Sequence, residues 1–266
     1  MNSMRFNTSQ FMEQQKQHKR KVRNLRPDIL FLHYICLPVF LFTNTKASIG
    51  FLGDEPILFY IYIFLFSAAL MLYSKACECP GYVDKNYSPK DIKDHYFCKE
   101  CQMYIPIRAS HCNNCGHCVL RRDHHCPWTN QCIGRDNHVY FYFWVITESI
   151  LMLIVFLDVL FSMFNKMEIT NWLKSYFLHI IFLPVLFFDL FQVASLTFTH
   201  TLMICNNKTV WEIKRAGSIT YLQNAIRNPF DQGVFNNIIE FFTMKRDKKE
   251  WTVPEINLDD LSLLNY

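Results

Sequence analysis

The sequence predicts an all-α integral membrane protein. Four transmembrane helices are expected, with a small cytosolic cysteine-rich domain between the second and third. Three observations predict this. Hydrophobic residues make up 51% of the 266, with 25 Phe against only 7 Gly. They are gathered into four long blocks separated by polar stretches dense in Lys, Arg and Cys, as in a polytopic membrane protein. And seven of the eleven cysteines, at positions 98, 101, 112, 115, 118, 126 and 132, fall within the 35 residues from Cys98 to Cys132 of one polar stretch.

The first block is residues 29–42 (ILFLHYICLPVFLF), running on toward Gly50, and the second is residues 57–73. The third covers 139–164 and the fourth runs from Trp172 to Cys205. At a rise of about 1.5 Å per residue, the last two readily cross a hydrocarbon core of about 30 Å. The fourth is longer than needed, so its end is expected to project into water. The first two are shorter and resemble buried core helices in length, but an even number of spans fits the charges. Residues 1–28 are polar and basic, so the first block reads as a retained span rather than a signal peptide.

Orientation follows the Lys and Arg distribution. The segment KQHKRKVRNLR precedes the first block, and the loop between the first two has only Lys46. The 74–138 loop is basic, and so is the tail after residue 205. Both termini and the central loop are therefore expected in the cytosol. The expected division is a basic N-terminus (1–28), helices 1 and 2 (29–73), the cysteine-rich domain (74–138), helices 3 and 4 (139–205) and a C-terminal tail (206–266). Val234, Phe235, Ile238, Ile239 and Phe242 fall at helical spacing, which predicts a short amphipathic helix in that tail. The net charge of +4 is modest and no nucleic-acid module is visible. Glu148, Asp158, Asp189, His33 and His179 fall inside the blocks and read as interhelical hydrogen-bonding groups rather than an ion pathway.

A cytosolic loop is reducing, so its cysteines point to metal rather than to disulfides. Cys98-x2-Cys101 and Cys112-x2-Cys115 are knuckles with zinc-ligand spacing, and Cys118 follows. Two zinc ions need eight ligands. Six Cys and two His supply them, from candidates His111, His117, His124, His125 and His138, with one Cys left over. The loop has little apolar sequence for a core of its own, so zinc would supply the folding energy. Within RRDHHCPW (121–128), Cys126 has the most reactive setting, with His124 and Asp123 placed as base and base-orienter. On spacing alone, Cys126 reads as nucleophile or as ligand.

The pattern C-x2-C-x9-HC-x2-C-x2-C-x4-DHHC-x5-C, from Cys98 to Cys132, resembles the cysteine-rich domain of the DHHC protein S-acyltransferases (palmitoyltransferases). CIGRDNHVYF after the loop, TVWEI after the fourth block and NPFDQG in the tail extend the likeness, which is nearest to the short twelve-type members. The resemblance implies one zinc site of Cys98, Cys101, His111 and Cys118. It implies a second of Cys112, Cys115, His125 and Cys132. Cys126 is then the nucleophile that carries the acyl group from a long-chain acyl-CoA to cysteines of substrate proteins, with His124 as base and Asp123 as its partner. His117 and His138 are bystanders on this reading. Trp128 reads as a shield for the thioester or an interfacial anchor, and Arg121 and Arg122 as contacts for CoA phosphates or as solvated charges. Thr209, Glu212 and Asn237 are expected to support the site. Cys77, Cys79 and Cys205 read as small buried residues or as further acylation sites. The implied location is the Golgi or endoplasmic reticulum membrane, with lipid, acyl-CoA and cysteine-bearing proteins as partners.

Two motifs depart from the family pattern. Asp-Pro-Gly reads Cys79-Pro80-Gly81, and Thr-Thr-x-Glu reads Thr209-Val210-Trp211-Glu212. The Val210 side chain cannot donate the hydrogen bond that the resemblance implies near Asp123, which leaves open how firmly the aspartate is held. It also leaves room for the alternative of a catalytically weak or inactive zinc-finger membrane adaptor. A four-span transporter is a second rival.

Overall fold

The computed structural model describes residues 56–89, 92–164, 166–223, 225 and 227–252. The first apolar block and the basic N-terminal run lie outside the described residues. Among the described residues three helices are long and apolar enough to cross a membrane. They are α1 (Pro56–Ala76), α2 (His138–Ser162) and α3 (Ile169–Cys205).

The central helix α2 packs against both α1 and α3. Their shared core holds Tyr62, Ala69, Ala76, Phe141, Trp144, Val145, Leu151 and Leu186. Small residues on α1 let it approach closely, as packing between helices in lipid requires. Polar contacts join α2 to α3: Tyr142 and Thr201 hydroxyls lie 2.9 Å apart, as do those of Ser149 and Thr197. Outward-facing Phe187, Phe188, Phe191 and Phe198 on α3 are exposed, the surface a lipid-facing helix presents.

The cysteine-rich segment departs from the all-α expectation. It consists of three two-stranded antiparallel hairpins. These are β1 (His95–Cys98) with β2 (Met103–Pro106), β3 (Ser110–Cys112) with β4 (His117–Val119), and β5 (His124–Cys126) with β6 (Gln131–Ile133). Strands of three or four residues are too short to bury a sheet face of their own. What they do is aim cysteines and histidines.

Beyond α3 come α4 (Val210–Arg215), a 3-10 turn (Ala216–Ser218), α5 (Thr220–Gln223) and α6 (Val234–Thr243). The helix α6 packs on α3. A second core joins tail to hairpins through Ile107, Ile204, Phe230, Phe241, Met244 and Trp251. Asn237, Glu240 and Phe241 of α6 are buried, while Val234, Phe235, Ile239 and Phe242, four of the five apolar residues read at helical spacing, are exposed.

Candidate active site and metal centres

The hairpin registers sort the ligands. In β3–β4, His111 pairs with Cys118, and Cys112 with His117. Neighbours on a strand point to opposite faces, so His111 and Cys112 serve different clusters. The first cluster brings together Cys98, Cys101, His111 and Cys118, and the second Cys112, Cys115, His125 and Cys132.

In the first, Cys101 Sγ lies 3.2 Å from His111 Nδ1 and 3.6 Å from Cys118 Sγ, which is 3.8 Å from the same nitrogen. In the second, His125 Nδ1 is 3.4 Å from Cys115 Sγ, 3.7 Å from Cys112 Sγ and 3.9 Å from Cys132 Sγ. Tetrahedral zinc sets edges of about 3.8 Å between two thiolates and about 3.6 Å between thiolate and imidazole. Both donor sets fit such an ion, and all eight cysteines and histidines are accounted for without Cys126. Each set is closed by four protein ligands, the pattern of a structural site.

The same two-residue period divides the DHHC stretch. His125 is the middle residue of β5, paired with Cys132 across the hairpin, and faces the second cluster. His124 and Cys126 flank it and share the other face. There, Cys126 packs in the interhelical core with Phe141 and Trp144 and is 1% exposed. Its thiol has hydrogen-bonding partners in His124 and the Thr129 backbone. His124 Nδ1 donates to Asp123 Oδ2 at 2.7 Å. The other carboxylate oxygen accepts the backbone N–H of Val210 at 3.0 Å.

That bond answers the question of how Asp123 is held without the threonine hydroxyl. Val210 is the first residue of α4, where a backbone N–H has no partner within the helix. A capping box fixes this helix start: Glu212 N–H donates to Thr209 Oγ1 at 3.2 Å, and Thr209 N–H to Glu212 Oε2 at 2.9 Å. The main chain therefore supplies the donor that the valine side chain lacks.

The charges fall into a consistent order. Burial pushes the Asp123 carboxyl up, but the hydrogen bond and charge of His124 hold it well below the usual carboxylate range. Burial pulls His124 down, yet its bonds to Asp123 and Cys126 raise it to about 9. Burial pushes the Cys126 thiol up, and His124 more than reverses this, leaving it below its ordinary value. A thiolate beside an imidazolium is the state these shifts favour.

Residues 91–216 match the family model described as DHHC palmitoyltransferase. Over these residues the chain carries the domain of the DHHC palmitoyltransferases. It is 32% identical over 166 residues to the putative ZDHHC-type palmitoyltransferase 7 of Dictyostelium discoideum, covering 60% of this chain and 37% of that protein. It is 38% identical over 152 residues to the probable protein S-acyltransferase 2 of Arabidopsis thaliana, covering 55% and 35%. Palmitoyltransferase ZDHHC9 of Homo sapiens is 35% identical over 140 residues, covering 52% and 38%. The chain thus spans well under half the length of these relatives.

Other expected site residues of this DHHC domain fall differently. Arg121 is 2% exposed. Its guanidinium faces Asn207 Oδ1 at 3.2 Å and His138 Nδ1 at 3.4 Å, so it is not available to a CoA phosphate. Arg122 donates to the His111 carbonyl at 2.7 Å and braces a ligand strand. Trp128 is exposed, and its carbonyl accepts from Tyr73 Oη at 3.1 Å. Asn237 ties the tail to the end of α3, donating to the Cys205 carbonyl at 2.7 Å. His138, read as a bystander, is buried between Arg121 and His200.

Sequence reasoning missed Arg108. Its guanidinium is wholly buried, donating to both Glu212 oxygens at 2.7 and 2.9 Å and to Asn207 Oδ1 and O at 2.9 Å. Phe230 lies 4.3 Å beneath it. Burial pushes the Glu212 carboxyl up, but Arg108 holds it below its usual value. Asn207 continues the network to Glu240 at 2.9 Å, which also accepts from Trp251 Nε1 at 2.7 Å. The path from Arg108 through Glu212 and the cap to Val210 and Asp123 links hairpins, tail and reacting face.

Proposed function

We propose that this chain is a protein-cysteine S-palmitoyltransferase working by a ping-pong route through Cys126. The observation that carries the reading is the two-faced strand β5: His125 turns to a closed four-ligand cluster, while His124 and Cys126 turn together to the other side.

In the first half-reaction the Cys126 thiolate attacks the carbonyl carbon of acyl-CoA. The bond from that carbon to the CoA sulfur breaks, and CoA leaves as a thiol with a proton from the His124 imidazolium. In the second, a substrate cysteine gives its proton to His124 and attacks the Cys126 thioester. Cys126 departs as thiolate, restoring the starting pair. Thioester is exchanged for thioester, so no oxidant or energy source is needed. Asp123 holds the His124 tautomer throughout.

The acyl chain has a place to go. A cavity of about 480 Å³ opens among the described helices, lined by Tyr73, Trp128, Phe141, Trp144, Leu196 and Val210 among others. Its volume and mainly apolar wall suit a lipid tail. Two zinc ions would be held by the eight ligands named above and would supply folding energy rather than reactivity.

The remaining parts of this reading are four spans with both termini and the hairpins in the cytosol, the five-part division of the chain, membership of the twelve-type group and a Golgi or endoplasmic reticulum location. They rest on the apolar blocks, the Lys and Arg asymmetry and the motif likeness. A zinc-finger adaptor would need the hairpins but no acyl-enzyme. The separating experiment loads purified protein with labelled palmitoyl-CoA, removes free CoA ester, then adds a cysteine-bearing acceptor peptide from a membrane-anchored protein. The proposal expects the label to pass from enzyme to peptide in this second step. Label that reaches peptide only while acyl-CoA is present, with none on the enzyme, contradicts it.

A further inference from the structure

The reacting face has a third histidine that no part of the mechanism uses. His200, on α3, is 1% exposed. Its ring centroid lies 5.9 Å from that of His124 and 5.2 Å, edge to face, from Phe141. Asp123, His124 and His200 each offer a ligand atom within 4.8 Å of the others. The ring also lines the cavity beside Val210 and Trp128.

The hydrogen bonds behind His200 settle which of its nitrogens carries the proton. Arg121 Nη1 lies 3.4 Å from His138 Nδ1. A guanidinium only donates, so His138 Nδ1 accepts and must hold a lone pair. The His138 proton is then on Nε2. That atom lies 3.2 Å from His200 Nδ1, so His200 Nδ1 accepts in turn. The remaining His200 nitrogen, Nε2, must bear the proton. A buried arginine thus sets two tautomers in series and leaves an N–H to donate on a ring that has a nitrogen within 4.8 Å of Asp123 and His124. At such a range an N–H acts on a carboxylate through space or through one bridging water.

We propose that His200 is a positioning residue for acyl transfer, its Nε2–H holding the Asp123–His124 pair in the arrangement that keeps His124 aimed at Cys126. The donor role is imposed by Arg121 through His138, which gives these two residues a task that neither phosphate binding nor simple packing describes. The inference rests on the reading of Cys126 as nucleophile and His124 as its base.

The test compares His200→Phe, which keeps ring packing but has no donor, with His200→Gln, which keeps an N–H. Two readouts are taken on full-length protein in detergent. One is the saturating rate of acyl-enzyme formation from palmitoyl-CoA. The other is iodoacetamide alkylation of the Cys126 peptide, followed by mass spectrometry, which needs no acyl transfer. The expected result is about a tenfold loss of both rates in His200→Phe, the scale of one hydrogen bond to a charged group. The palmitoyl-CoA concentration for half-saturation and the zinc content should be unchanged, and His200→Gln should restore most of the loss. Should His200→Phe lose zinc, His200→Met takes its place as the donor-free variant, with the same two rates measured. Alkylation as fast in the donor-free variant as in wild type overturns the proposal. So does equal slowing in both variants with zinc retained, since that is packing rather than donation. Failure of the functional reading looks different: wild type then forms no acyl-enzyme, while the alkylation contrast still tests His200.

Discussion

Replacing Val210 by proline removes one amide hydrogen from the protein and little else. Proline is favoured at the first position of a helix because the N–H there is unpaired within the helix and φ is already suitable. The preceding residue, Thr209, sits at φ −118° and ψ 157°, the extended region a pre-proline residue prefers. The helix α4 and its capping box should therefore survive. What is lost is the 3.0 Å bond from Val210 N–H to Asp123 Oδ1. A hydrogen bond to a charged group contributes about 1.5–3 kcal/mol. The proline ring carbon also occupies the place of the missing proton, so Asp123 must retreat by about an ångström, and a misplacement of that size costs about 100-fold in rate. Acyl-enzyme formation in Val210→Pro should accordingly fall about 100-fold, measured by gel after rapid mixing with labelled palmitoyl-CoA. Val210→Ala, which keeps the N–H, should load at close to the wild-type rate. Wild-type loading by Val210→Pro, with tail protease resistance and zinc content intact, would refute the claim that the main chain holds Asp123.

Other outcomes follow from the same contacts. Arg108→Met leaves Glu212 buried without its cation and should destabilise the folded protein by about 3–5 kcal/mol, read by thermal unfolding in detergent; Arg108→Met with Glu212→Gln should recover part of this, and equal stability of the single variant and wild type would contradict the buried-pair assignment. Glu212 and Glu240 both have carboxyls held below their usual value, so their contribution to tail docking is full above the unfolded carboxylate pKa of about 4.3 and is lost as pH falls through the lower folded values. Limited proteolysis should find the tail protected at neutral pH and cleaved in acid below about pH 4, and a tail equally resistant at both would oppose this. Cys132→Ala should cost about one of two zinc ions, seen by metal analysis, and unchanged zinc would remove Cys132 from the ligand set.

The long helices were legible because length and apolarity need no partner to be read: α2 and α3 appear where blocks three and four predicted them. The two Cys/His clusters were legible because spacing and the family likeness constrained eight positions at once. The three hairpins were not, since three-residue strands stapled by ligand residues show no hydrophobic alternation. Arg108 counted only as a loop cation, because its partners Asn207 and Glu212 lie 99 and 104 residues away. Arg121 was read as a phosphate contact or a solvated charge for the same reason: nothing local says a cation is buried. The Val210 question stayed open for a different reason. It compared side chains, whereas the donor to Asp123 is a backbone N–H that any residue but proline supplies.

The central claim is that Cys126 is the reacting thiol and not a metal ligand. The most direct measurement pairs covalent labelling by palmitoyl-CoA with zinc analysis in wild type and Cys126→Ser. A hydroxylamine-sensitive label is expected on wild type, none on Cys126→Ser, and the same zinc content in both. Equal labelling, or the loss of about one zinc ion in the variant, would contradict it.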